Sequence, residues 1–171
     1  MTPRRIGAAL ALIGAVMILF GTFSMRWLTP PSPHEGGVGL TGVEMCRGGE
    51  CQSQDWDEIT KRARGDKDVE LLKTAALVAT IGSVLAAGLL LAIAISGLAT
   101  QRSMSLITIF SIIGATLALL GAIATVVLLR EYFKDEKMEL GYSLFVYLGG
   151  CVLGAVGSIV SRGGRGYATR R

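Results

Sequence analysis

The sequence predicts an all-α membrane protein, a four-transmembrane-helix bundle with a small extracellular antiparallel β-sheet in its first loop. Three observations carry that prediction. Four uncharged apolar stretches recur along the 171 residues. One polar interlude, residues 26–73, separates the first stretch from the second. Within it, Cys46 and Cys51 stand with only Arg-Gly-Gly-Glu between them.

The apolar stretches are Ile6–Met25, Thr74–Thr100, Ser103–Leu129 and Leu140–Ser161, and none contains Asp, Glu, Lys, Arg or His. They raise the hydrophobic share to 51%. An α-helix rises about 1.5 Å per residue, so about 20 residues cross the hydrocarbon core. Each stretch is long enough, which predicts helices at about 6–25, 74–100, 103–129 and 140–161 in a single domain, 1–171. All faces are apolar, so a search for amphipathic periodicity is uninformative here. Arg4 and Arg5 before an apolar run also describe a signal peptide. The length of the run and the poor cleavage context at Met25-Arg26-Trp27 favour an uncleaved first helix.

Charged groups inside a bilayer usually mark ion paths or proton relays. Their absence from all four spans argues against a pump, a proton-coupled transporter and an intramembrane protease. The spans carry small residues at helical spacing instead. Gly7, Gly14 and Gly21 repeat every seven in the first. Gly88, Ala92 and Ser96 step by four in the second, as do Gly114, Ala118 and Ala122 in the third and Gly150, Gly154 and Ser158 in the fourth. Such spacing lets backbones approach closely. Packing within the bundle is the favoured use, with self-association into a homo-oligomer as the alternative. Cys151 reads as a small core residue.

In the loop, Trp27 follows the first helix directly and is expected to anchor its outer end, since indoles favour the membrane interface. His34, beside Pro33, reads as a solvated loop residue. Val38, Leu40, Val43 and Met45 suggest a strand with a bulge at Gly42. Gly48 and Gly49 suit a turn between the cysteines. The pair then cross-links two adjacent strands of a hairpin, provided the loop lies outside the cytoplasm, where disulfides persist. Zinc would need four ligands, and the loop offers two cysteines and one histidine. A redox pair would more typically be C-x-x-C. Asp55 and Glu58 have capping-box spacing, predicting a short surface helix over Trp56–Arg64 that stops at Gly65. Asp66 or Asp68 then caps the second span.

Four spans put both termini on one side. That side carries Arg4, Arg5, Arg102, Arg162, Arg165, Arg170 and Arg171 and no acid, whereas all thirteen Asp and Glu lie on the other. Acid-free basic segments resist translocation, which places the termini in the cytoplasm and loop 26–73 outside, extracellular or periplasmic. The same rule accounts for the basic tail, so nucleic acid is not an expected partner. Membrane lipid is.

These residues resemble the claudin superfamily, which includes the peripheral myelin and epithelial membrane proteins. That family has four membrane helices, cytoplasmic termini and a large first extracellular loop with a W…GLW…C…C signature. Trp27, Gly39, Leu40, Cys46 and Cys51 match it, and Thr41 stands where the family has its second Trp. The resemblance implies a small antiparallel sheet with a disulfide between neighbouring strands, and Trp27 packed beneath that sheet. It also allows a role as an auxiliary subunit of a larger complex or channel. Read from the residues, the chain is expected to be no enzyme and to need no cofactor. It would present its loop to other membrane proteins or to its own copies. A thiol-disulfide oxidoreductase using Cys46 and Cys51 is the competing reading.

Overall fold

The computed structural model describes residues 2–31, 35–47, 49–63, 66–98, 105–134 and 138–163. His34, Gly48, Gly65 and the arginines at 64, 102, 165, 170 and 171 lie outside these residues, and with them the expectations placed on those positions.

In chain order, α1 (Pro3–Phe23) is followed by β1 (Leu28–Thr29), β2 (Gly36–Val38), β3 (Gly42–Arg47) and β4 (Glu50–Asp55). Then come α2 (Trp56–Ala63), α3 (Lys67–Leu98), α4 (Ser105–Tyr132), β5 (Glu139–Leu140) and α5 (Tyr142–Gly163). Four of the helices, α1, α3, α4 and α5, are long and apolar enough to cross a membrane. They close a ring in which α1 packs on α5 and α3, α3 on α4, and α4 on α5.

Inside this ring the side chains are small. Ala11, Ala15, Ala79, Ala86, Ala87, Ala118 and Ala122 are all buried. Outside it they are large: Val16, Phe20, Leu85, Ile95, Leu117, Phe145 and Val152 are exposed. Water-soluble monomers rarely expose so much continuous apolar surface.

Helix bounds depart from the sequence expectation most at α3. It begins at Lys67, not near 74, and its 32 residues span about 48 Å. The first turns of α3 carry a buried stripe, Val69, Leu72 and Ala76, of which Leu72 and Ala76 pack with Leu28, Val38 and Val43 of the sheet. Asp66 supplies the expected cap, its Oδ1 accepting from the Asp68 N–H at 3.0 Å. α1 starts earlier, at Pro3, where proline suits the first helical turn. α4 and α5 run to Tyr132 and Gly163, slightly past the expected 129 and 161. Asp55 caps α2 as its spacing predicted, accepting from the Glu58 N–H at 2.8 Å.

Beside the four long helices stands a five-stranded antiparallel sheet in the order β4-β3-β2-β1-β5. A small antiparallel sheet in the first loop was expected, and one is present. Two corrections follow. The Gly42 bulge is absent: the chain turns at Gly39–Thr41, the Gly39 N–H donates to the Gly42 carbonyl (2.9 Å), and Val38 pairs with Val43. The turn is forced by close backbone approach, since a Cβ on Gly39 would sit 2.8 Å from Met25 Cα. Second, the short loop after α4 joins the sheet through β5, where Leu140 pairs with Leu28.

Candidate functional site

The five signature residues fall into two groups on the sheet. Trp27, Gly39 and Leu40 meet where the sheet rests on the helices. Cys46 and Cys51 lie at the far tip of the β3–β4 hairpin.

Trp27 is fully buried, which corrects its expected place at the lipid interface. Its indole turns inward because α1 ends with unpaired carbonyls that need donors. The indole N–H donates to the Gly21 carbonyl at 2.6 Å. Its ring packs on Tyr147 of α5 with centroids 5.0 Å apart. The Trp27 backbone is held from both sides: its N–H donates to Val38 (2.9 Å) and its carbonyl accepts from Gly141 (2.7 Å). One residue therefore ties α1, α5, the first loop and the second loop together.

Around it the support is continuous. Leu40 is buried in the same cluster as Trp27 and Tyr147, and its carbonyl accepts from the Trp56 indole at 3.0 Å. Sequence reading gave Trp56 no role beyond opening α2. Tyr147, also unmarked in the sequence, donates to the Ala118 carbonyl (3.0 Å) and sits 2.6 Å from Ser83 Oγ. It thereby links α5 to both α3 and α4. Cys151 is buried one turn along, as expected of a core residue.

At the tip, Cys46 and Cys51 are directly paired across β3 and β4, with their sulfurs at bonding distance, 2.06 Å. Gly49 in the connecting turn has φ +88, the conformation glycine tolerates best. β4 is the edge of the sheet, and Cys51, Gln52 and Ser53 are exposed on it. Met45, opposite Gln52, is 62% exposed. At its other end β4 passes into α2, which is tied to α3 by Asp57 and Lys73 at 2.5 Å. The Lys73 hydrogen bond, and then its charge, holds the Asp57 carboxyl below the usual carboxylate range.

Most of the small residues marked for helix packing meet one another. Gly7, Gly14 and Gly21 face α5 in antiparallel register, against Ser161, Gly154 and Tyr147. A Cβ on Gly14 would lie 2.6 Å from the Gly154 nitrogen, and one on Gly150 would lie 2.9 Å from the Ile18 nitrogen. Gly157 belongs to the same contact, seven residues past Gly150, and was not singled out in the sequence. Gly114 is looser, in ordinary contact with Ala86 of α3. Gly88 faces open space on the outside of α3. Among the described residues no group of three His, Cys, Asp or Glu could hold a metal ion. No protein-family model matches the chain and no curated protein matches it.

Proposed function

We propose that this chain is a multi-pass cell-membrane protein that presents a disulfide-stapled sheet for contact with other membrane proteins or with its own copies. Both termini would be cytoplasmic and the sheet extracellular or periplasmic. The observation that supports contact most strongly is the edge strand β4, which among the described residues pairs with β3 on one side only and lies beside the exposed Met45. An unpaired edge strand offers a row of N–H and C=O groups to a partner strand, and proteins otherwise protect such edges. The inside-out distribution of side-chain size supports the membrane setting, because bundles in lipid pack through small residues.

The reading is non-enzymatic and needs no cofactor. The superfamily likeness to the claudins stays with this proposal and rests on Trp27, Gly39, Leu40, Cys46 and Cys51 together with the sheet. Service as an auxiliary subunit of a larger membrane complex is a version of the same contact, with the partner being the complex. A photo-crosslinker at Gln52 in intact cells tests it. The proposal expects protein adducts, either a second copy or a distinct membrane protein, and none from a crosslinker at Thr2 treated with an impermeant partner-capture reagent. Adducts with lipid alone, or none, would count against it. An oxidoreductase would instead trap a mixed disulfide when only Cys46 or only Cys51 is replaced.

A further inference from the structure

Beneath the sheet, on the outer side of α1, lies an open groove of about 780 Å³. Its wall is the last two turns of α1, where Val16, Phe20 and Phe23 form a stripe at i, i+4 and i+7, each more than half exposed. Among the described residues no neighbouring helix covers this stripe. Its roof is polar. Glu44 of β3 and Ser53 of β4, paired across the sheet, line the groove beside Arg26. Arg26 Nε is 3.8 Å from Glu44 Oε2, at the long limit of an ion pair, with the arginine side chain half exposed. Tyr142, at the start of α5, closes one flank.

The polar roof is built in place. The Arg26 carbonyl accepts from the Ser143 hydroxyl. A Cβ on Gly37 would lie 3.2 Å from Arg26 Cα, so β2 presses directly on this backbone. The backbone that carries the cation is thus held by α5 and β2 before anything binds, which reduces part of the ordering needed on binding.

We propose that this groove holds a phospholipid and selects a zwitterionic headgroup that ends in a primary ammonium. The inference rests on the membrane setting proposed above. Acyl chains lie along Val16, Phe20 and Phe23. The headgroup folds under the sheet, its phosphate toward Arg26 and its ammonium toward Glu44. The two protein charges stand side by side with the signs such a headgroup complements. Arginine suits phosphate through its forked N–H groups, and a carboxylate takes charge-assisted hydrogen bonds from a primary ammonium. An anionic headgroup without the ammonium would meet the Glu44 carboxylate unfavourably.

Native mass spectrometry of the full-length protein tests this, with phosphatidylethanolamine, phosphatidylcholine and phosphatidylglycerol offered in equal amounts. Losing one charge-assisted hydrogen bond corresponds to about a tenfold change in retention. Phosphatidylethanolamine should be held that much more strongly than the other two, because the quaternary ammonium of phosphatidylcholine has no N–H to give. Glu44→Ala, which removes the acceptor, should erase the preference while leaving retention. Val16→Trp, which fills the groove below an intact roof, should abolish retention. Helical content and the disulfide serve as folding controls for both variants. Equal retention of the three lipids by the unaltered protein would overturn the proposal, as would a preference that survives both substitutions. So would a dimer that Val16→Trp dissociates without changing lipid retention, since the occupant would then be a second copy. Normal membrane insertion and Gln52 adducts alongside any of these results would sink the lipid site and leave the proposed function standing.

Discussion

Replacing Trp27 should damage this protein more than any other single change outside the helices, and the structure sets the size of the effect. The indole is fully buried between α1, α5 and the sheet. Truncating a buried Trp to Ala removes its apolar contacts and leaves a cavity, a loss of about 3–5 kcal/mol. Trp27→Phe keeps much of the volume and the ring contact with Tyr147 but removes the donor to Gly21. A buried carbonyl left without its partner costs about 1–3 kcal/mol, which is the expected loss for Phe. Reversible unfolding of the purified protein in mixed micelles, followed by helical signal, measures both. A second readout reports where the indole lies. In a Trp56→Phe background, Trp27 fluorescence should resist both aqueous acrylamide and bromine-labelled lipid. Strong quenching by the bromolipid, together with a Trp27→Ala loss below about 1 kcal/mol, would return the indole to the lipid interface and refute the reasoning.

Gly14→Ala should destabilise by about 1–3 kcal/mol, because its methyl would enter the α5 backbone, and thermal unfolding would show it. Gly88→Ala is the contrast: nothing lies near its Cβ, so it should be neutral or stabilise by up to about 1 kcal/mol through helix propensity. The Cys46→Ala, Cys51→Ala pair should insert normally and keep its helices. The loop-entropy relation gives about 2 kcal/mol for so small a ring, and β2 still pairs with β3, so faster amide exchange should appear only near the tip, residues 45–52. The Asp57–Lys73 tie should respond to acid. The Asp57 pKa is lowered on folding, so its contribution is complete above the ordinary value of about 3.9 and is lost as pH falls through the lowered one. Exchange of α2 amides should therefore rise in strong acid, and Asp57→Asn should remove that pH dependence.

The four long helices were legible because length without charge is a signal that needs no tertiary context. Their ends were less so. Lys67–Lys73 reads as solvated, yet Val69 and Leu72 are buried, Leu72 against the sheet, and their spacing with Ala76 was the available clue. The sheet was half legible. Val38 and Val43 marked strands, and the cysteines marked the hairpin. β1 and β5 have two residues each, too few for any alternation, and they exist because the Trp27 backbone offers both sides to partners. The fate of Trp27 could not be read from its type. An indole after a membrane helix suits the interface equally well, and only the free carbonyl of Gly21 and the ring of Tyr147 draw it inward. The α1–α5 contact was signalled by glycines every seven residues, but which helix received them was not.

The placement of the sheet is tested most directly by labelling thiols with a membrane-impermeant maleimide in intact cells. After mild reduction, Cys46 and Cys51 should label from outside, while Cys151, buried in the bundle, should not. In a chain lacking Cys46 and Cys51, a Thr2→Cys substitution should label only once the membrane is permeabilised. Labelling of Thr2→Cys from outside, with Cys46 and Cys51 reached only after permeabilisation, would contradict the orientation and with it the external contact surface.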